Sequence, residues 1–229
     1  MFTSVIIPAA GAGERMGAAV SKQFLLLLGK PIIIHTLERF QMCGAVNEII
    51  IAVQPSSRQQ VESLIGEFHL SKATRIVEGG KRRQDSVSNA LSHLNPQAEV
   101  VIVHDAVRPF IRQKTILDSV DKAISYSAAV VAVRVKDTIK VGTDEGRFER
   151  TLDRSVLWLA QTPQTFRRQV LIDAYEKASR ERIDATDDAS LVELLNIRPA
   201  IVEGSFENIK ITTPDDLDFA NVVAHRFRD

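Results

Sequence analysis

The chain has 229 residues, of which 45% are hydrophobic, 29 are lysine or arginine and 29 are aspartate or glutamate. This composition is typical of a globular protein and argues against a disordered chain. Because DNA- and RNA-binding surfaces usually carry an excess of basic residues, the zero net charge argues against nucleic acid as the main partner. The single cysteine, Cys43, excludes an intrachain disulfide and fits a reducing compartment.

The sequence also lacks the marks of a membrane or exported protein. No apolar run approaches the ~20 residues of a membrane-spanning helix, and the N-terminus lacks the basic segment and long apolar core of a signal peptide. We therefore expect a cytoplasmic protein with no membrane partner. Since the length suits one α/β domain and no linker or internal repeat interrupts the chain, residues 1–229 are predicted to form a single domain.

Apolar runs rich in valine and isoleucine alternate with helical patterns along most of the chain. Strands are predicted at 4–9, 48–55, 73–80, 99–110 and 128–135. Helices are predicted at 31–44, 57–70, 83–94, 114–127, 168–181 and 185–196. Two short apolar stretches then lead to a C-terminal helix with Thr213 as its N-cap and Pro214 in its first position. This alternation predicts an α/β fold with a mostly parallel sheet and helices on both faces.

The rhythm changes between strand 128–135 and helix 168–181. Apolar and charged residues alternate around the turn signal "DEG" at 144–146, which is typical of an extended hairpin. We predict a projecting β-hairpin arm at about residues 137–158. A hairpin of this size has too little core to be stable alone, so the arm is expected to pack on a second subunit and make a homodimer.

The first candidate site is the loop "PAAGAGERMG", which follows the first predicted strand. Ligands of open α/β sheets bind at the carboxyl ends of strands, and Gly11 and Gly13 leave backbone N–H groups open to an anion. The glycine spacing matches neither the dinucleotide fingerprint nor the P-loop. Arg15 and Lys22 suit a triphosphate, which needs cations beside the backbone. A plain turn with two solvated cations is the alternative.

Two further strand ends carry polar residues. In "VEGGKRRQDSV", Gly80 allows close backbone approach and Ser86 can contact a base or phosphate, although the basic residues there can equally be solvated. In "VHDAVRPF", Asp105 can contact a ribose, a sugar hydroxyl or a metal, and Arg108 can hold a phosphate with its planar fork. An Asp–Arg pair that closes the loop is the structural alternative.

Lys210 lies in a short apolar stretch, so its amine must reach solvent, a partner or a ligand. The five histidines do not have metal-ligand spacing, and His104 is given no role. No Ser-His-Asp or Cys-His arrangement is visible as a motif. The acids of "DATDDAS" at 184–190 are interpreted as a helix cap without a catalytic role.

The motifs together resemble those of the 2-C-methyl-D-erythritol 4-phosphate cytidylyltransferase family. The resemblance covers essentially the whole chain and is carried, in order, by "PAAGAGERMG", "KQF", "GGKRRQDSV", "HDAVRPF", "VKDTIK", "LDRSVLWLAQTPQTF", "TDDASLVE" and "VEGSFENIKITTPDDL". The first motif alone marks only the broad class of sugar nucleotidyltransferases, whereas the full series is specific. The chain ends after the "TTPDDL" helix, so the resemblance implies the monofunctional form, without a cyclodiphosphate synthase domain.

The resemblance implies an activity as well as a fold. Members of the family make 4-diphosphocytidyl-2-C-methyl-D-erythritol from CTP and methylerythritol phosphate and release pyrophosphate, in the non-mevalonate route to isoprenoids. It also implies a Rossmann-like fold, a homodimer joined through the arm, and a divalent cation, usually Mg²⁺. We expect the triphosphate to hold Mg²⁺, because this ion prefers few protein ligands beside phosphates. No metal ligand is assigned, and Asp105 is the only acid nominated as a possible outer contact.

The resemblance further implies roles for individual residues. Cations that stabilise the transition state match Arg15 and Lys22, and those that position the phosphate match Arg154 and Lys210. Contacts to the sugar phosphate match Asp105, Arg108, Thr138 and Thr162. Contacts to cytosine match the backbone of Ala9, Ala10 and Gly80, together with Ser86. Lys81 stands where some members carry aspartate, so only a backbone role is carried over there.

Two other functions compete with this one. A ribitol-5-phosphate cytidylyltransferase shares the fold and a similar "RPF" segment, but "PAAG" and "LDRSVLW" favour methylerythritol phosphate. A non-catalytic nucleotide-binding regulator would keep the fold, but the retained cations Arg15, Lys22 and Lys210 argue against it. A dinucleotide oxidoreductase fits least well because of the glycine spacing.

Overall fold

The computed structural model describes residues 1–11 and 21–227. Its strands are β1 (Phe2–Pro8), β2 (Leu26–Leu27), β3 (Lys30–Pro31), β4 (Glu48–Val53), β5 (Ala73–Glu78), β6 (Ala98–Val103), β7 (Ala128–Arg134), β8 (Lys140–Gly142), β9 (Phe148–Thr151), β10 (Trp158–Arg167) and β11 (Ala200–Glu203). Its α-helices are α1 (Ile32–Gln41), α2 (Arg58–Glu67), α3 (Arg83–Leu91), α4 (Gln113–Tyr126), α5 (Arg168–Glu181), α6 (Asp188–Glu193) and α7 (Pro214–Arg226).

Seven of these strands form one sheet in the order β11–β7–β10–β6–β1–β4–β5. The strand β1 pairs in parallel with β4 and β6, β5 with β4, and β11 with β7. Only β10 runs antiparallel to its neighbours, β6 and β7. The predicted mostly parallel sheet is therefore confirmed, and the carboxyl ends of β1, β4, β5 and β6 meet at one edge of it.

Side chains of successive strand residues divide between two cores, as the alternation of a β-strand requires. Val5 and Ile7 of β1 pack on α1, α2 and α4 on one face, whereas Ile6 packs on α3, α5 and α6 on the other. Because both faces are covered, the strands are apolar almost throughout. This arrangement confirms the predicted helices on both faces. Within the described ranges, no helix is long and apolar enough to cross a membrane.

The strand β10 is an element that the sequence pattern did not reveal. Its central residues are buried although several are polar, and their polar groups are paired by side chains rather than left to solvent. Gln164 Nε2 donates to Asp187 Oδ2 at 2.6 Å, and Thr165 Oγ1 donates to Ser119 Oγ at 2.9 Å. A buried polar strand does not show the alternation or apolar run by which strands are recognised.

The C-terminal helix α7 begins as predicted. The Thr213 side chain accepts from the N–H of Asp216, the Asp216 carboxylate accepts from the N–H of Thr213, and Pro214 occupies the first helical position. This reciprocal capping satisfies N–H groups that the first helical turn leaves unpaired. The helix packs through Ala220 and Val223 on a separate apolar cluster near the cleft described below.

The predicted arm is present as the antiparallel pair β8 and β9. All four residues of β9 are exposed, and Phe148 and Val156 keep 77% and 72% of their surface exposed. Large apolar side chains this exposed on one projecting segment can mark a surface for a partner. The arm leads directly into β10, which returns the chain to the centre of the sheet.

Candidate active site

A cleft lies outside the carboxyl ends of β1, β5 and β6. Among the described residues, it is lined by Pro8, Ala9, Ala10, Gly11, Lys22, Gln23, Gly80, Lys81, Arg82, Arg83, Ser86, Asp105, Ala106, Val107 and Lys210. Most of the predicted site residues are therefore brought together here. Gly13 and Arg15, which were also predicted for this site, lie outside the described residues.

The backbone that follows β1 is held by hydrogen bonds from neighbouring side chains. The Ala9 N–H donates to the Ala52 carbonyl oxygen at 2.7 Å, while the carbonyl oxygens of Ala9 and Ala10 accept from Gln23 and Gln54, each at 2.7 Å. These bonds fix a segment with small side chains at the edge of the sheet. Gly11 continues it into the cleft and is exposed.

The loop after β5 can be built only with two glycines. A Cβ on Gly79 would lie 2.2 Å from Ala10 Cβ, and one on Gly80 would lie 2.2 Å from Asp85 Cβ. The Ser86 hydroxyl oxygen accepts from the Gly80 N–H at 3.0 Å and donates to the Arg82 carbonyl oxygen at 3.1 Å. Ser86 thus holds this loop against the start of α3, and its contact with a base stays a prediction.

Asp105 is the electrostatic centre of the cleft. Its Oδ1 lies 3.1 Å from Arg83 Nε, and its Oδ2 lies 3.3 Å from Arg108 Nε and 3.0 Å from Lys210 Nζ. Burial alone would raise the pKa of the Asp105 carboxyl, but the positive charges of Arg83, Lys210 and Arg108 outweigh it and hold this pKa well below its usual range. Asp105 is therefore ionised, and one carboxylate organises three cations.

The Asp–Arg pair that closes the loop, given above as the structural alternative, is thus observed. Asp105 also lines the cleft. Arg108 closes the loop after β6 by binding Asp105 and by donating through Nη1 to the Asn208 carbonyl oxygen at 2.7 Å. Burial lowers the pKa of Arg108, and Asp105 offsets this in part. Arg108 does not line the cleft in this arrangement, so its predicted phosphate contact stays a prediction.

Sequence reasoning missed Arg83, which binds Asp105, and it also missed Asp188, which binds Arg83, and Tyr175, which binds Asp188. Arg83 Nη1 also lies 2.7 Å from Asp188 Oδ2, and the Tyr175 hydroxyl donates to Asp188 Oδ1 at 2.6 Å. Burial and the adjacent Asp188 carboxylate raise the pKa of Tyr175, so its hydroxyl keeps its proton. In "TDDAS" only Asp187 is the helix cap, as it accepts from the Ser190 N–H at 2.9 Å. The doubled aspartate was the one available signal for a second role.

The backbone of Asp105 is held by a third set of contacts. Its N–H donates to Thr162 Oγ1 at 3.0 Å, and Thr162 Oγ1 lies 3.1 Å from His104 Nδ1. His104 Nε2 lies 3.0 Å from the Arg108 carbonyl oxygen and must donate to it. Burial lowers the pKa of His104 to about 4, so the ring is neutral near pH 7 and Nδ1 accepts the Thr162 proton. The predicted sugar-phosphate contact of Thr162 stays a prediction.

The two predicted site residues of the arm do not line the cleft of this chain. Thr138 and Arg154 are both exposed, and the Arg154 guanidinium donates to the Lys136 carbonyl oxygen. Their predicted contacts with substrate stay predictions. Within residues 1–11 and 21–227, no three histidine, cysteine, aspartate or glutamate side chains group as metal ligands.

Comparisons with known proteins agree with the motifs. The family model described as "IspD: 2-C-methyl-D-erythritol 4-phosphate cytidylyltransferase" matches residues 3–226. A protein of that name from Geobacillus kaustophilus is 44% identical over 97% of both chains, and one from Geobacillus thermodenitrificans is 45% identical over the same shares. These shares correspond to nearly the full length of both relatives.

Solved structures of similar proteins share the fold. A 4-diphosphocytidyl-2C-methyl-D-erythritol synthase from Anaerococcus prevotii has a TM-score of 0.87 at 30% identity and covers 98% of this chain and 96% of its own. The 2-C-methyl-D-erythritol 4-phosphate cytidylyltransferase from Thermus thermophilus has a TM-score of 0.80 at 32% identity, with 98% and 100% covered. By family model, relatives and fold, this chain belongs to the 2-C-methyl-D-erythritol 4-phosphate cytidylyltransferase family.

Proposed function

We propose that this chain transfers CMP from CTP to 2-C-methyl-D-erythritol 4-phosphate, giving 4-diphosphocytidyl-2-C-methyl-D-erythritol and pyrophosphate. The observation that carries the proposal is a cleft lined by Gly11, Gly80, Lys22 and Lys210, in a chain whose family has this activity by name. The reaction belongs to the non-mevalonate route to isoprenoids. The backbone at residues 9–11 and the loop after β5 suit the nucleotide, while Asp105 and Lys210 suit the sugar phosphate.

The chemistry needs no general base from the protein. The phosphate of the acceptor is already ionised near neutral pH, so it can attack the α-phosphorus as it stands. The obstacle is the repulsion between two anions, about 4 kcal/mol for unit charges ~4 Å apart at an effective dielectric constant near 20. Lys22 and Lys210, which line the same cleft, offset this repulsion and hold both anions in line, so positioning and electrostatics supply the catalysis.

We further propose that a divalent cation, such as Mg²⁺, is held mainly by the CTP phosphates. The arrangement of Asp105 fits this division, because both of its carboxylate oxygens are directed at cationic side chains. At such sites Mg²⁺ typically keeps several water ligands and binds substrate phosphates together with only one or two protein carboxylates. When bound, it would neutralise charge on the phosphate oxygens.

We also propose that the enzyme is a cytoplasmic homodimer in which the arm of one chain completes the site of the other. The exposed apolar side chains Phe148 and Val156 support a partner on the arm, as does the exposure of Thr138 and Arg154 away from the cleft of their own chain. Arg154 would then bring a further cation to the sugar phosphate of the neighbouring subunit.

Pyrophosphate release in the presence of CTP, Mg²⁺ and one sugar phosphate tests the proposed function. We expect release with methylerythritol phosphate and none with ribitol 5-phosphate, and the product should have the mass of the diphosphocytidyl sugar. Faster release with ribitol 5-phosphate would overturn the substrate assignment. CTP binding without any release would instead identify a nucleotide-binding regulator.

A further inference from the structure

The side chain of Asp188 is fully buried, yet it does not line the cleft. A buried carboxylate is costly unless it is paired and hydrogen-bonded. Asp188 meets this condition with two strong donors, since Arg83 Nη1 lies 2.7 Å from its Oδ2 and the Tyr175 hydroxyl lies 2.6 Å from its Oδ1. The capping of α6 is done by Asp187, so Asp188 is not needed for that purpose.

Arg83 connects this buried carboxylate to the cleft. Its Nη1 binds Asp188 while its Nε binds Asp105 Oδ1 at 3.1 Å. The planar guanidinium holds its N–H donors in a fixed relative orientation. Binding of Nη1 by Asp188 therefore clamps the guanidinium and sets the direction in which Nε points toward Asp105. With Oδ1 occupied by Arg83, Asp105 turns Oδ2 toward Lys210 and Arg108.

We propose that Arg83, anchored by Asp188 and Tyr175, is a positioning residue that fixes the Asp105 carboxylate and thereby the direction of the Lys210 amine. This inference rests on the proposed function for the identity of the substrate. Without the clamp, the Asp105 carboxylate can turn about its own side-chain axis, and Lys210 loses its fixed partner. The expected defect lies on the sugar-phosphate side, because the nucleotide loops after β1 and β5 contain neither Asp105 nor Lys210.

The key variant is Asp188→Asn. The Asn amide oxygen can still accept from Arg83, and its NH₂ group can donate to the Tyr175 oxygen once that hydroxyl rotates. The variant therefore removes the charge while both hydrogen bonds can persist. Glu48→Gln is the matched control: Glu48 is 3% exposed, accepts from Ser4 Oγ at 2.5 Å, and begins β4 at the opposite end of the strands from the cleft.

We expect Asp188→Asn to raise the KM for methylerythritol phosphate on the order of tenfold, because a neutral amide holds the Arg83 guanidinium more weakly than a carboxylate does and Asp105 is then less firmly positioned. The KM for CTP should change less than about twofold, and Glu48→Gln should change neither constant by more than that. In an Arg83→Gln background, Asp188→Asn should add less than about twofold, because both act through one chain of contacts. Arg83→Lys should resemble Arg83→Gln, since an ammonium group lacks the planar fork that bridges two carboxylates.

Three results would overturn the proposal. The first is an equal rise of both KM values in Asp188→Asn, which would indicate a general structural role. The second is full additivity of Arg83→Gln and Asp188→Asn. The third is normal kinetics in Arg83→Lys, which would show that bridging is not required.

The wild-type assay separates this proposal from the proposed function. If the wild-type protein releases no pyrophosphate with methylerythritol phosphate, the proposed function fails. The contact between Arg83 and Asp105 is then followed by NMR, through the chemical shift of the Asp105 carboxyl ¹³C. This resonance is assigned by its disappearance in Asp105→Asn. That resonance should shift in Asp188→Asn and stay in place in Glu48→Gln. An unmoved resonance in Asp188→Asn would overturn the clamp whatever the reaction is.

Discussion

Lys210 Nζ lies 3.0 Å from Asp105 Oδ2, so an amine that lines the cleft is paired with a carboxylate that is only 8% exposed. A lysine side chain has four rotatable carbon bonds and seldom keeps one direction on a surface. Here the buried carboxylate limits that freedom, while the ammonium group keeps further N–H donors for a phosphate. The pair thus combines a fixed direction with spare hydrogen-bonding capacity.

Removal of either cleft lysine should reduce turnover, and loss of Lys210 should also raise the KM for methylerythritol phosphate. We expect Lys22→Ala and Lys210→Ala to lower kcat by about 100-fold each, as loss of one donor to the developing charge does. Lys114→Ala is the control, because Lys114 is 83% exposed and pairs with Asp118 outside the cleft. Steady-state pyrophosphate release measures all three, and near-normal turnover in either cleft variant would remove that lysine from the mechanism.

The ionised state of Asp105 should make the free energy of unfolding depend on pH in the acid range. Since the folded-state pKa of Asp105 is depressed, its contribution is present above the unfolded-state value of about 4 and is lost as the pH falls below it. The free energy of unfolding of the wild type should exceed that of Asp105→Asn by a constant amount from about pH 7 to 5, and this difference should shrink below about pH 4. Urea unfolding at each pH measures it, and a difference that persists at the lowest pH contradicts the ionised assignment.

His104 should make a separate contribution at higher pH. Its folded-state pKa is lowered to about 4, so the neutral ring favours the native state above about pH 6.5, and this advantage is lost as the pH falls from there toward 4. The wild type should lose on the order of 3 kcal/mol relative to His104→Gln over this range. The exposed residue His93 supplies the control, His93→Gln. Parallel stability curves for the wild type and His104→Gln would refute the buried neutral histidine.

The paired glycines after β5 should not tolerate a methyl group. Gly79→Ala and Gly80→Ala each place a Cβ 2.2 Å from a neighbouring Cβ, so the loop must move and CTP binding should weaken by at least about tenfold. Gly66→Ala is the matched substitution, because Gly66 lies in α2 with open space at its Cβ position. It should stabilise the protein by about 0.5–1 kcal/mol. Calorimetric titration with CTP measures the affinities, and an unchanged affinity in both loop variants would exclude close backbone approach.

A shared site predicts complementation between two inactive variants. Lys22→Ala disables the cleft and Arg154→Ala disables the arm, so a mixed dimer should regain one working site. We expect activity to return after the two variants are mixed and subunits exchange, while each variant alone stays inactive. Subunit exchange is verified by mass spectrometry of differently labelled chains. Activity that does not return after exchange would place Arg154 outside the neighbouring site.

The sequence predicted the elements whose burial is apolar and missed those whose burial is polar. Strands β1, β4 and β6 each contain an unbroken run of valine, isoleucine or alanine, and these runs identified them in the sequence. The strand β10 was missed because its interior holds Gln161, Thr162 and Gln164, whose partners come from distant parts of the chain. Pairing between residues far apart in sequence cannot be obtained from local patterns.

In the site, too, local sequence patterns predicted some residues, and contacts between distant residues were missed. Topology placed Asp105 and Ser86 at one edge of the sheet because both follow parallel strands. The clamp on Asp105 depends on Asp188, which lies 105 residues from its partner Arg83, and no local feature separates Asp188 from the cap Asp187. The resemblance to a family supplied roles for single residues, but not the contacts behind them.

The strand β10 links the arm to the cleft. One end of this strand joins the arm at Trp158, where the Arg134 guanidinium stacks 4.4 Å from the ring centroid, and its middle presents Thr162 to the Asp105 backbone. The strand β10 therefore connects the arm to the backbone of Asp105, although its pairing with β7 is interrupted between Ala160 and Gln164. The proposed contact of the arm with a neighbouring subunit would thus reach Asp105 through this one strand.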